Sequence, residues 1–394
     1  MDRKTACADP LPALVRRVRA LAGLADAWRS PRSPWMRRAR REIPTAFAFS
    51  SPMVEACLRT TFAGWTLASV ARWVHDDLPS RLRQRAAARC ARGLRAREVL
   101  LVLPSTVFAA AWQAAAAVWL AGFVPVFRPS RREPIFARLL AESARAMGGR
   151  DLPFRLLAPG TPVNGRKKFR AVVAYGSDPT VIRLRATTER GRKIFGFGTQ
   201  VGAAWISRRA LSHQNAANLA RGLARDVVLY ETQGCLSPGC IFVDRGAKVS
   251  PGAFAALVAK EIARLDRAWT VRGEDALAGE SFLQLWKFRA AQGRAEFFGR
   301  HVILHGEHDF APSGLRRVVF VRPVAGPGEA ARLCAHWPAK LAVLGLADAS
   351  ETVRVGRAFR SHPDLWMAAI GRMHEPPPSW RNGGVSLLQE LAAG

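Results

Sequence analysis

Short apolar segments that alternate with helical segments constrain the fold of this chain more than any other feature. From residue 98 onwards, apolar runs end at proline, glycine or serine, and stretches with helical signals follow them. Strands without polar alternation are typical of parallel sheets buried on both faces. We therefore predict an α/β fold in which helices cover both faces of parallel sheets. The predicted strands comprise residues 99–103, 124–127, 171–175, 193–197, 201–206, 241–243, 317–321 and 341–346.

Helix signals fill the intervals between these strands. Pro134 lies at the start of one helical segment, Gly148-Gly149 follows its end, and Ser212 is a suitable N-terminal cap for another. Residues 1–50 are rich in arginine and helix-prone, which predicts a peripheral helical arm, and residues 51–97 have the pattern of amphipathic helices. We expect the helical region 1–97 to pack on the first α/β domain. The predicted helices of the α/β region comprise residues 107–120, 133–148, 179–187, 212–224, 251–265, 281–290, 329–337 and 352–360.

The length and the two series of strands predict two three-layer α/β domains. A chain of 394 residues is long enough for two packed cores. We place the boundary between the domains close to Asp226. The predicted division is a helical region at residues 1–97, a first domain at 98–226, a second domain at 227–370 and a tail at 371–394.

A net charge of +30 indicates either an anionic partner or a bias in composition. Lysine and arginine number 60 against 30 acidic residues, and the arginines are spread along the chain. A basic surface attracts nucleic acid, anionic membranes, or the phosphates of a nucleotide or coenzyme A. We favour the dispersed bias, because no basic motif with interleaved aromatic residues indicates nucleic-acid binding. Nucleic-acid binding therefore ranks last among the possible functions.

The cysteines and the uncharged residues 107–127 indicate the cellular compartment of the protein and whether it spans a membrane. Six scattered cysteines without a C-x-x-C pair disfavour a zinc site and fit free thiols in a reducing cytoplasm. The N-terminus has no signal-peptide pattern. Residues 107–127 could span a bilayer, but Gln113, Gly122 and Pro125 favour a buried helix, a turn and a buried strand. We predict a cytoplasmic protein without a membrane span.

Residues 231–240 contain the strongest candidate for a nucleophile. Cys235 lies between glycine and Leu-Ser-Pro in a loop with little crowding, and we interpret the apolar runs 226–230 and 241–243 as flanking strands. A thiolate is a strong nucleophile and a good leaving group, which suits a covalent intermediate. Cys240 is the alternative thiol, but its position at the start of a buried strand favours a core role.

Three predicted strands end in residues that suit phosphate binding. The first is followed by Pro104-Ser105-Thr106, the second by Arg128-Pro129-Ser130-Arg131-Arg132 and the third by Gly176-Ser177. Ligands of open α/β sheets bind beyond the carboxyl ends of the strands. Small residues allow the backbone to approach a phosphate, and arginine supplies charge and paired donors. We predict a nucleotide site there, although the glycine-rich dinucleotide fingerprint and the P-loop are absent.

Four segments together resemble the acyl-CoA reductase family of the aldehyde dehydrogenase superfamily. They are 128–134 (RPSRREP), 173–178 (VAYGSD), 195–198 (FGFG) and 233–238 (QGCLSP). The best-known member of that family is the reductase subunit of the fatty acid reductase complex of luminous bacteria. The tail is similar as well, so that the resemblance covers roughly residues 95–390.

The resemblance implies an aldehyde-dehydrogenase-like fold with two Rossmann-related domains, of which 98–226 binds NADP and 227–370 carries the nucleophile. It implies that Cys235 forms a thioester with a long-chain acyl group, which NADPH then reduces to the fatty aldehyde. Gln233 and Gly234 match residues that shape the cysteine loop. The implied cofactor-binding residues are Pro104, Arg128, Ser130, Gly176 and Ser177, with Arg131 and Arg132 as nearby charge.

Thr106 occupies the position where the family usually has an asparagine that helps to form the oxyanion hole. A hydroxyl group can also donate a hydrogen bond, so we predict that Thr106 is the second catalytic residue. Arg128 replaces a lysine and still binds phosphate. We expect a homo-oligomer and, as a possible partner, an acyl-activating synthetase. The alternative function is a catalytically weakened scaffold for such a partner.

One group of residues has the composition of a metal site but not the spacing. It consists of His301, His305 and His308 with Glu307 and Asp309. Their spacing does not place them on one helix face, so we predict a solvated loop before the next strand and no bound metal.

Overall fold

The computed structural model describes residues 11–46, 49–92, 97–162, 169–188, 191–270, 280–307, 312 and 315–394. Within these residues, helices in the N-terminal region precede two mainly parallel sheets. The helices are α1 (Leu11–Arg29), α2 (Pro34–Ala46), α3 (Ser51–Phe62), α4 (Leu67–Asp77), α5 (Ser80–Cys90), α6 (Ala111–Leu120), α7 (Ile135–Gly148), α8 (Asp178–Thr187), α9 (Ala216–Val228), α10 (Pro251–Ala268), α11 (Glu280–Ala291), α12 (Pro327–Ala335), α13 (Thr352–Ala358) and α14 (Leu387–Ala393). The strands are β1 (Glu98–Val102), β2 (Val124–Arg128), β3 (Arg155–Leu156), β4 (Ala171–Tyr175), β5 (Lys193–Phe197), β6 (Gln200–Ile206), β7 (Pro238–Asp244), β8 (Ala295–Phe298), β9 (Val302–His305), β10 (Val319–Val324), β11 (Lys340–Leu346) and β12 (Trp366–Ala369).

The first sheet has parallel strands in the order β3-β2-β1-β4-β5. Its central strands are buried on both faces, because nearly all their residues are apolar. Alternate residues of β1 face opposite cores: Val99 and Leu101 pack on the side of α6, and Leu100 and Val102 pack on the side of Leu184 in α8. This is the three-layer arrangement that the apolar runs predict.

The second sheet has the order β12-β11-β6-β7-β10-β9-β8, in which the pair of β8 and β9 is antiparallel and the other pairs are parallel. β6 belongs to it, although β6 precedes the predicted boundary at Asp226. Only Gly198 and Thr199 separate β5 from β6. Two residues cannot form the crossover that parallel neighbours in one sheet require. The chain therefore passes to the second sheet well before Asp226.

The predicted N-terminal helices are present, but α1, which belongs to the arm predicted to be peripheral, is packed into the main core. Leu21 and Trp28 of α1 are fully buried, and the Trp28 Nε1 donates to Ser143 Oγ in α7 at 2.9 Å. Arg17 is also fully buried, and its Nη1 donates to the carbonyl oxygen of Trp119 at 2.6 Å. That carbonyl group lies in the last turn of α6, where a cation is favourable.

One predicted strand is the end of a helix. Residues 226–230 complete α9 and enter a 3-10 turn, Leu229–Thr232. A short, fully buried helical turn has the same apolar pattern as a short strand, so periodicity does not distinguish them. α9 also begins four residues later than predicted, because the N–H and hydroxyl of Ser212 both bind Asn215 Oδ1 in a preceding turn.

The uncharged segment 107–127 forms a 3-10 turn (Phe108–Ala110), α6 and β2, with most of its side chains buried in protein. In the part of the chain that the structure describes, no helix has the length and apolar character needed to cross a membrane.

Candidate active site

A cleft of about 900 Å³ lies at the carboxyl ends of β1, β2 and β4, next to the loop that leads into β7. The residues predicted for the site from the sequence all line it: Pro104, Thr106, Arg128, Ser130, Gly176, Ser177 and Cys235. The structure therefore brings the predicted thiol and the predicted strand-end residues together around one cavity.

Three consecutive residues before the thiol adopt the left-handed backbone conformation. They are Tyr230 (φ 54°), Glu231 (φ 59°) and Thr232 (φ 60°). For residues other than glycine this conformation costs about 1–2 kcal/mol each. The turn reverses the chain after α9 and leads Cys235 to the cavity wall, and the Thr232 hydroxyl closes it by donating to the Val227 carbonyl oxygen at 2.8 Å.

A buried arginine holds this left-handed turn. The Nε and Nη2 of Arg317 donate to the two carboxylate oxygens of Glu231 at 2.9 and 2.6 Å, and its backbone N–H donates to Thr232 Oγ1 at 3.0 Å. Arg317 itself has a φ of 55°, so the described non-glycine residues with positive φ all meet here. The Nη1 of Arg317 also pairs with Asp266. This network fixes the backbone at the base of the cysteine loop.

His301 and His305 are both buried, so the prediction of a solvated loop is wrong for these two residues. His301 immediately precedes β9 and lies beside this network, whereas His305 is the last residue of β9, which pairs with β8 and β10. His301 Nε2 is 2.8 Å from Asp266 Oδ2, which gives the imidazole a structural role. His308 and Asp309 lie outside the described residues. Among the described residues, no group of three or more His, Cys, Asp or Glu could hold a metal ion.

The Cys235 thiol is half-buried rather than openly accessible. It packs against an apolar cluster that includes Leu236, Met373 and Trp380. Burial raises the pKa of the thiol to about 11. At neutral pH the thiol is therefore mostly protonated, and nucleophilic attack requires a group that takes its proton.

Thr106 lies on the loop between β1 and α6 and lines the same cavity as Cys235. Its side chain is half-buried, and no other described residue forms a hydrogen bond with its hydroxyl. The hydroxyl is therefore available to donate to a ligand in the cavity.

The carboxyl end of β2 presents positive charge without a compensating carboxylate. Within the described ranges, no acidic side chain lies within ion-pair distance of Arg128, Arg131 or Arg132, which all line the cavity. The Arg128 Nε donates to a backbone carbonyl oxygen, and burial and the nearby Arg131 lower the pKa of Arg128. Ser130 Oγ accepts the N–H of Arg132 at 3.1 Å. Such a group of donors fits a phosphate.

The small residues that follow β4 allow an anion to approach the backbone. A Cβ on Gly176 would lie 3.2 Å from Thr180 Cγ2, so a larger residue would crowd the first turn of α8. Ser177 precedes α8, and its hydroxyl lies 3.1 Å from Thr180 Oγ1. The helix N-terminus and these small residues suit a pyrophosphate. The donor set as a whole fits a nicotinamide dinucleotide.

The opposite wall of the cavity is apolar and aromatic. The N-terminal helical region contributes Trp65, and α6 contributes Trp112. The tail contributes Trp380, whose segment is held to α6 by Gln113, with Nε2 donating to the Trp380 carbonyl oxygen at 2.6 Å. The N-terminal helical region therefore helps to shape the site through Trp65, which the sequence analysis did not assign to the site.

His374 also lines the cavity and was not predicted from the sequence. Its exposure is only 4%, and its Nε2 lies 2.9 Å from the Asp226 carbonyl oxygen and 3.3 Å from Ser237 Oγ. Burial lowers the pKa of the imidazole to about 4. A lone histidine in a loop gives no sequence signal of its neighbours, because these are almost 150 residues away.

Solved structures with the same fold include aldehyde dehydrogenases and an oxidoreductase. An oxidoreductase from Marinobacter aquaeolei has a TM-score of 0.69 at 13% identity, over 95% of this chain and 84% of that one. An NAD-dependent aldehyde dehydrogenase from Sinorhizobium meliloti has a TM-score of 0.64 at 15% identity, over 93% and 76%. PnpE from Pseudomonas sp. WBC-3 has a TM-score of 0.65 at 13% identity, over 98% and 82%. These similarities confirm the predicted fold class.

The comparison with curated proteins returned no match. The family model described as acyl-CoA reductase (LuxC) matches residues 16–393, which is nearly the whole chain. This match confirms the resemblance that the cysteine loop and the strand-end segments indicate. The chain is thus an oxidoreductase of aldehyde dehydrogenase fold that belongs to the acyl-CoA reductase (LuxC) family.

Proposed function

We propose that this protein reduces a long-chain fatty acyl thioester to the fatty aldehyde, with NADPH as the reductant and Cys235 as the acyl carrier. The observation that carries this proposal is that a thiol, a free hydroxyl donor and a group of arginines share one cavity. Membership of the acyl-CoA reductase family supports the class of reaction.

In the first half-reaction, Cys235 Sγ attacks the carbonyl carbon of the thioester. A new carbon–sulfur bond forms, the bond to the donor sulfur breaks, and the donor leaves as a thiol with the proton that Cys235 gave up. Negative charge develops on the carbonyl oxygen, and the Thr106 hydroxyl donates a hydrogen bond to it. In the second half-reaction the carbonyl carbon gains a hydride, its bond to Cys235 Sγ breaks, the aldehyde leaves, and Sγ takes a proton from solvent.

When bound, NADPH supplies the hydride that reduces the acyl group. Arg128, Arg131, Arg132 and Ser130 would hold the adenosine ribose and its 2′-phosphate, because an uncompensated group of arginines favours the extra phosphate over a bare hydroxyl group. Gly176 and Ser177 would bind the pyrophosphate, and Pro104 would form part of the cofactor wall.

The aromatic wall formed by Trp65, Trp112 and Trp380 suits the apolar acyl chain. The acyl group is delivered as a thioester of coenzyme A or by an acyl-activating synthetase. The enzyme is a homo-oligomer. A cytoplasmic location is proposed because the thiols of Cys57, Cys90, Cys235, Cys240 and Cys334 are free, and a reducing compartment keeps a catalytic thiol reduced.

The decisive experiment is to incubate the protein with a long-chain acyl-CoA labelled in the acyl group and to measure covalent label on the protein. The wild type should be labelled, and added NADPH should release the label as aldehyde. Cys235→Ala should not be labelled, whereas the matched control Cys240→Ala, which removes a fully buried thiol of β7, should be. Label retained in Cys235→Ala would contradict the proposal. A folded wild type that binds NADPH but takes no label would instead favour a scaffold function.

A further inference from the structure

Few of the titratable groups that line the cavity can accept a proton. Its lining includes arginines, two tyrosines, Cys235 and His374, but no aspartate or glutamate among the described residues. Burial raises the pKa of both tyrosines, Tyr175 and Tyr230, so neither accepts a proton near neutral pH. The His374 imidazole is therefore the one lining group, within the described chain, that can take the thiol proton as a neutral base.

The hydrogen bonds of His374 determine its tautomer. Its Nε2 faces the carbonyl oxygen of Asp226 at 2.9 Å, and a carbonyl oxygen can only accept. The second neighbour, Ser237 Oγ at 3.3 Å, donates its own hydrogen to the Leu229 carbonyl oxygen and can therefore accept from Nε2 as well. The contact with the Asp226 carbonyl oxygen requires the proton to be on Nε2, and the contact with Ser237 is compatible with it. Nδ1 consequently carries a free lone pair.

The ring lies beside the cysteine loop. A Cβ placed on Gly234 would be 3.4 Å from His374 Cε1, the carbon atom that is bonded to both ring nitrogens. Gly234 immediately precedes Cys235, and its lack of a side chain leaves the imidazole next to the backbone of the loop. The close approach places the imidazole ring next to the residue that precedes the nucleophile.

Asp226 holds the segment that carries His374. Its Oδ2 accepts the N–H of Gly371 at 2.6 Å, and its Oδ1 accepts the N–H of Met373 at 3.3 Å. The same residue thus anchors the loop through its carboxyl group and selects the tautomer through its carbonyl group. This double contact fixes the position of the imidazole relative to the end of α9.

We propose that His374 accepts the thiol proton of Cys235 when the thiol attacks the acyl thioester, and that Asp226 is its positioning residue. The inference rests on the proposed function. The proton moves from Sγ to Nδ1 as the new carbon–sulfur bond forms, and then passes from Nδ1 to the sulfur of the leaving donor. The imidazole is neutral again before the acyl group is reduced.

Several charged or titratable groups face His374 and affect this transfer. They are Asp226, Arg225, Tyr230 and the neighbouring Glu375, and Cys235 lines the same cavity. Burial and Arg225 lower the pKa of the imidazole, whereas the hydrogen bond to the Asp226 carbonyl oxygen raises it. His374 therefore holds the proton only during its transfer from Sγ to the sulfur of the leaving donor.

Alkylation of Cys235 by iodoacetamide tests the proposal without any acyl substrate. Here Sγ displaces iodide and its proton passes through His374 to solvent; the rate is followed for the Cys235 peptide by mass spectrometry between pH 5 and 9. His374→Gln is the test variant, because its amide N–H can still donate to Asp226 but it has no basic nitrogen. His336→Gln is the control, because His336 is exposed and remote from the cavity.

We expect the wild type and His336→Gln to show a weak pH dependence below pH 8. In His374→Gln the rate should fall about tenfold per pH unit, as for a thiol without a base, and at pH 7 it should be about 100-fold below that of the wild type. Added imidazole should restore the rate of alkylation in His374→Ala. This second variant keeps the test valid if His374→Gln does not fold. Asp226→Asn should lower the rate of acylation without changing the KM for acyl-CoA.

Equal rates and pH profiles in the wild type and His374→Gln would overturn the role of His374, as would a failure of imidazole to rescue His374→Ala that still binds NADPH. These results are independent of the acyl-labelling experiment. If alkylation depends on His374 but no acyl group is transferred, the proposed function is contradicted. The role of His374 as the proton acceptor would still be supported.

Discussion

Arg317 and Glu231 form a bidentate ion pair across 86 residues of sequence, with N–O distances of 2.6 and 2.9 Å. Both side chains are almost completely buried. The pair stabilises a left-handed turn that has no glycine, directly before the cysteine loop. The location of the nucleophile therefore depends on a contact between two distant parts of the chain.

Removal of one partner of this pair should destabilise the protein strongly. Arg317→Ala leaves the Glu231 carboxylate buried without its partner, which costs about 3–5 kcal/mol in free energy of unfolding. Urea denaturation measures this difference. Arg300→Ala is the matched control, because Arg300 pairs with Asp266 in the same network but its side chain is 80% exposed. It should cost less than about 1 kcal/mol, and equal losses for the two variants would contradict the assignment of the stabilisation to the buried pair.

Substitution of Thr106 should separate catalysis from binding. Thr106→Val keeps the shape of the side chain and removes the hydroxyl, so kcat for acyl reduction should fall by about 100-fold, as for loss of an oxyanion donor. Thr106→Ser should retain most of the activity. The KM for acyl-CoA should change little in either variant, because the hydrogen bond strengthens only as charge develops. A Thr106→Val variant with wild-type kcat would exclude the hydroxyl as the donor.

Arg131 should determine the preference for NADPH. Its exposed side chain lies against Gly160 at the cavity edge, without an acidic partner among the described residues. Loss of a charge-assisted contact with the 2′-phosphate costs about 2 kcal/mol, so Arg131→Ala should raise the Kd for NADPH by about 30-fold and leave that for NADH nearly unchanged. Isothermal titration measures both constants. Arg150→Ala removes an equal charge from an exposed site outside the cavity and should affect neither; a parallel loss for both cofactors in Arg131→Ala would refute a contact with the 2′-phosphate.

Glu133 should make stability depend on pH. It is buried at the start of α7, where Oε1 accepts the Phe136 N–H at 2.8 Å, and burial raises its pKa from 4.5 to about 7. Between these two values the folded protein binds more protons than the unfolded chain, so its contribution to stability is lost as pH rises. The loss approaches about 3 kcal/mol above pH 7.

The Glu133→Gln variant keeps an oxygen that can accept the Phe136 N–H, but its side chain no longer titrates. Its free energy of unfolding at pH 8 should exceed that of the wild type by up to about 3 kcal/mol, and the difference should vanish near pH 4. Glu296→Gln, at an exposed position, should keep the wild-type dependence on pH. A wild-type slope in Glu133→Gln would show that another group is responsible.

The predicted strands are mostly correct, because a strand that is buried on both faces must be apolar along its length. β1, β2 and β4 lie where the apolar runs predict them, and their carboxyl ends form one edge of the cleft. The strand-end residues therefore meet as expected. The strand predicted at residues 226–230 is wrong, because the buried end of a helix has the same apolar pattern as a short strand.

The membership of β6 in the second sheet was not predicted. Apolar strands of the two sheets look alike in sequence, and the passage between them at Gly198 and Thr199 carries no distinct composition. The packing of Arg17 and Trp28 into the main core was missed for a similar reason. Their partners, Trp119 and Ser143, are more than 100 residues away.

By itself, the sequence determined the alternation of strands and helices, the family, and the residues that meet at the strand ends, because local apolar patterns and short motifs encode these features. Only the tertiary structure decided how Cys235 is held and what surrounds its thiol. Arg317 reaches Glu231 from the edge of β10, and Asp226 holds His374 from the end of α9. Such contacts depend on chain segments that become neighbours only when the two sheets and the tail pack together.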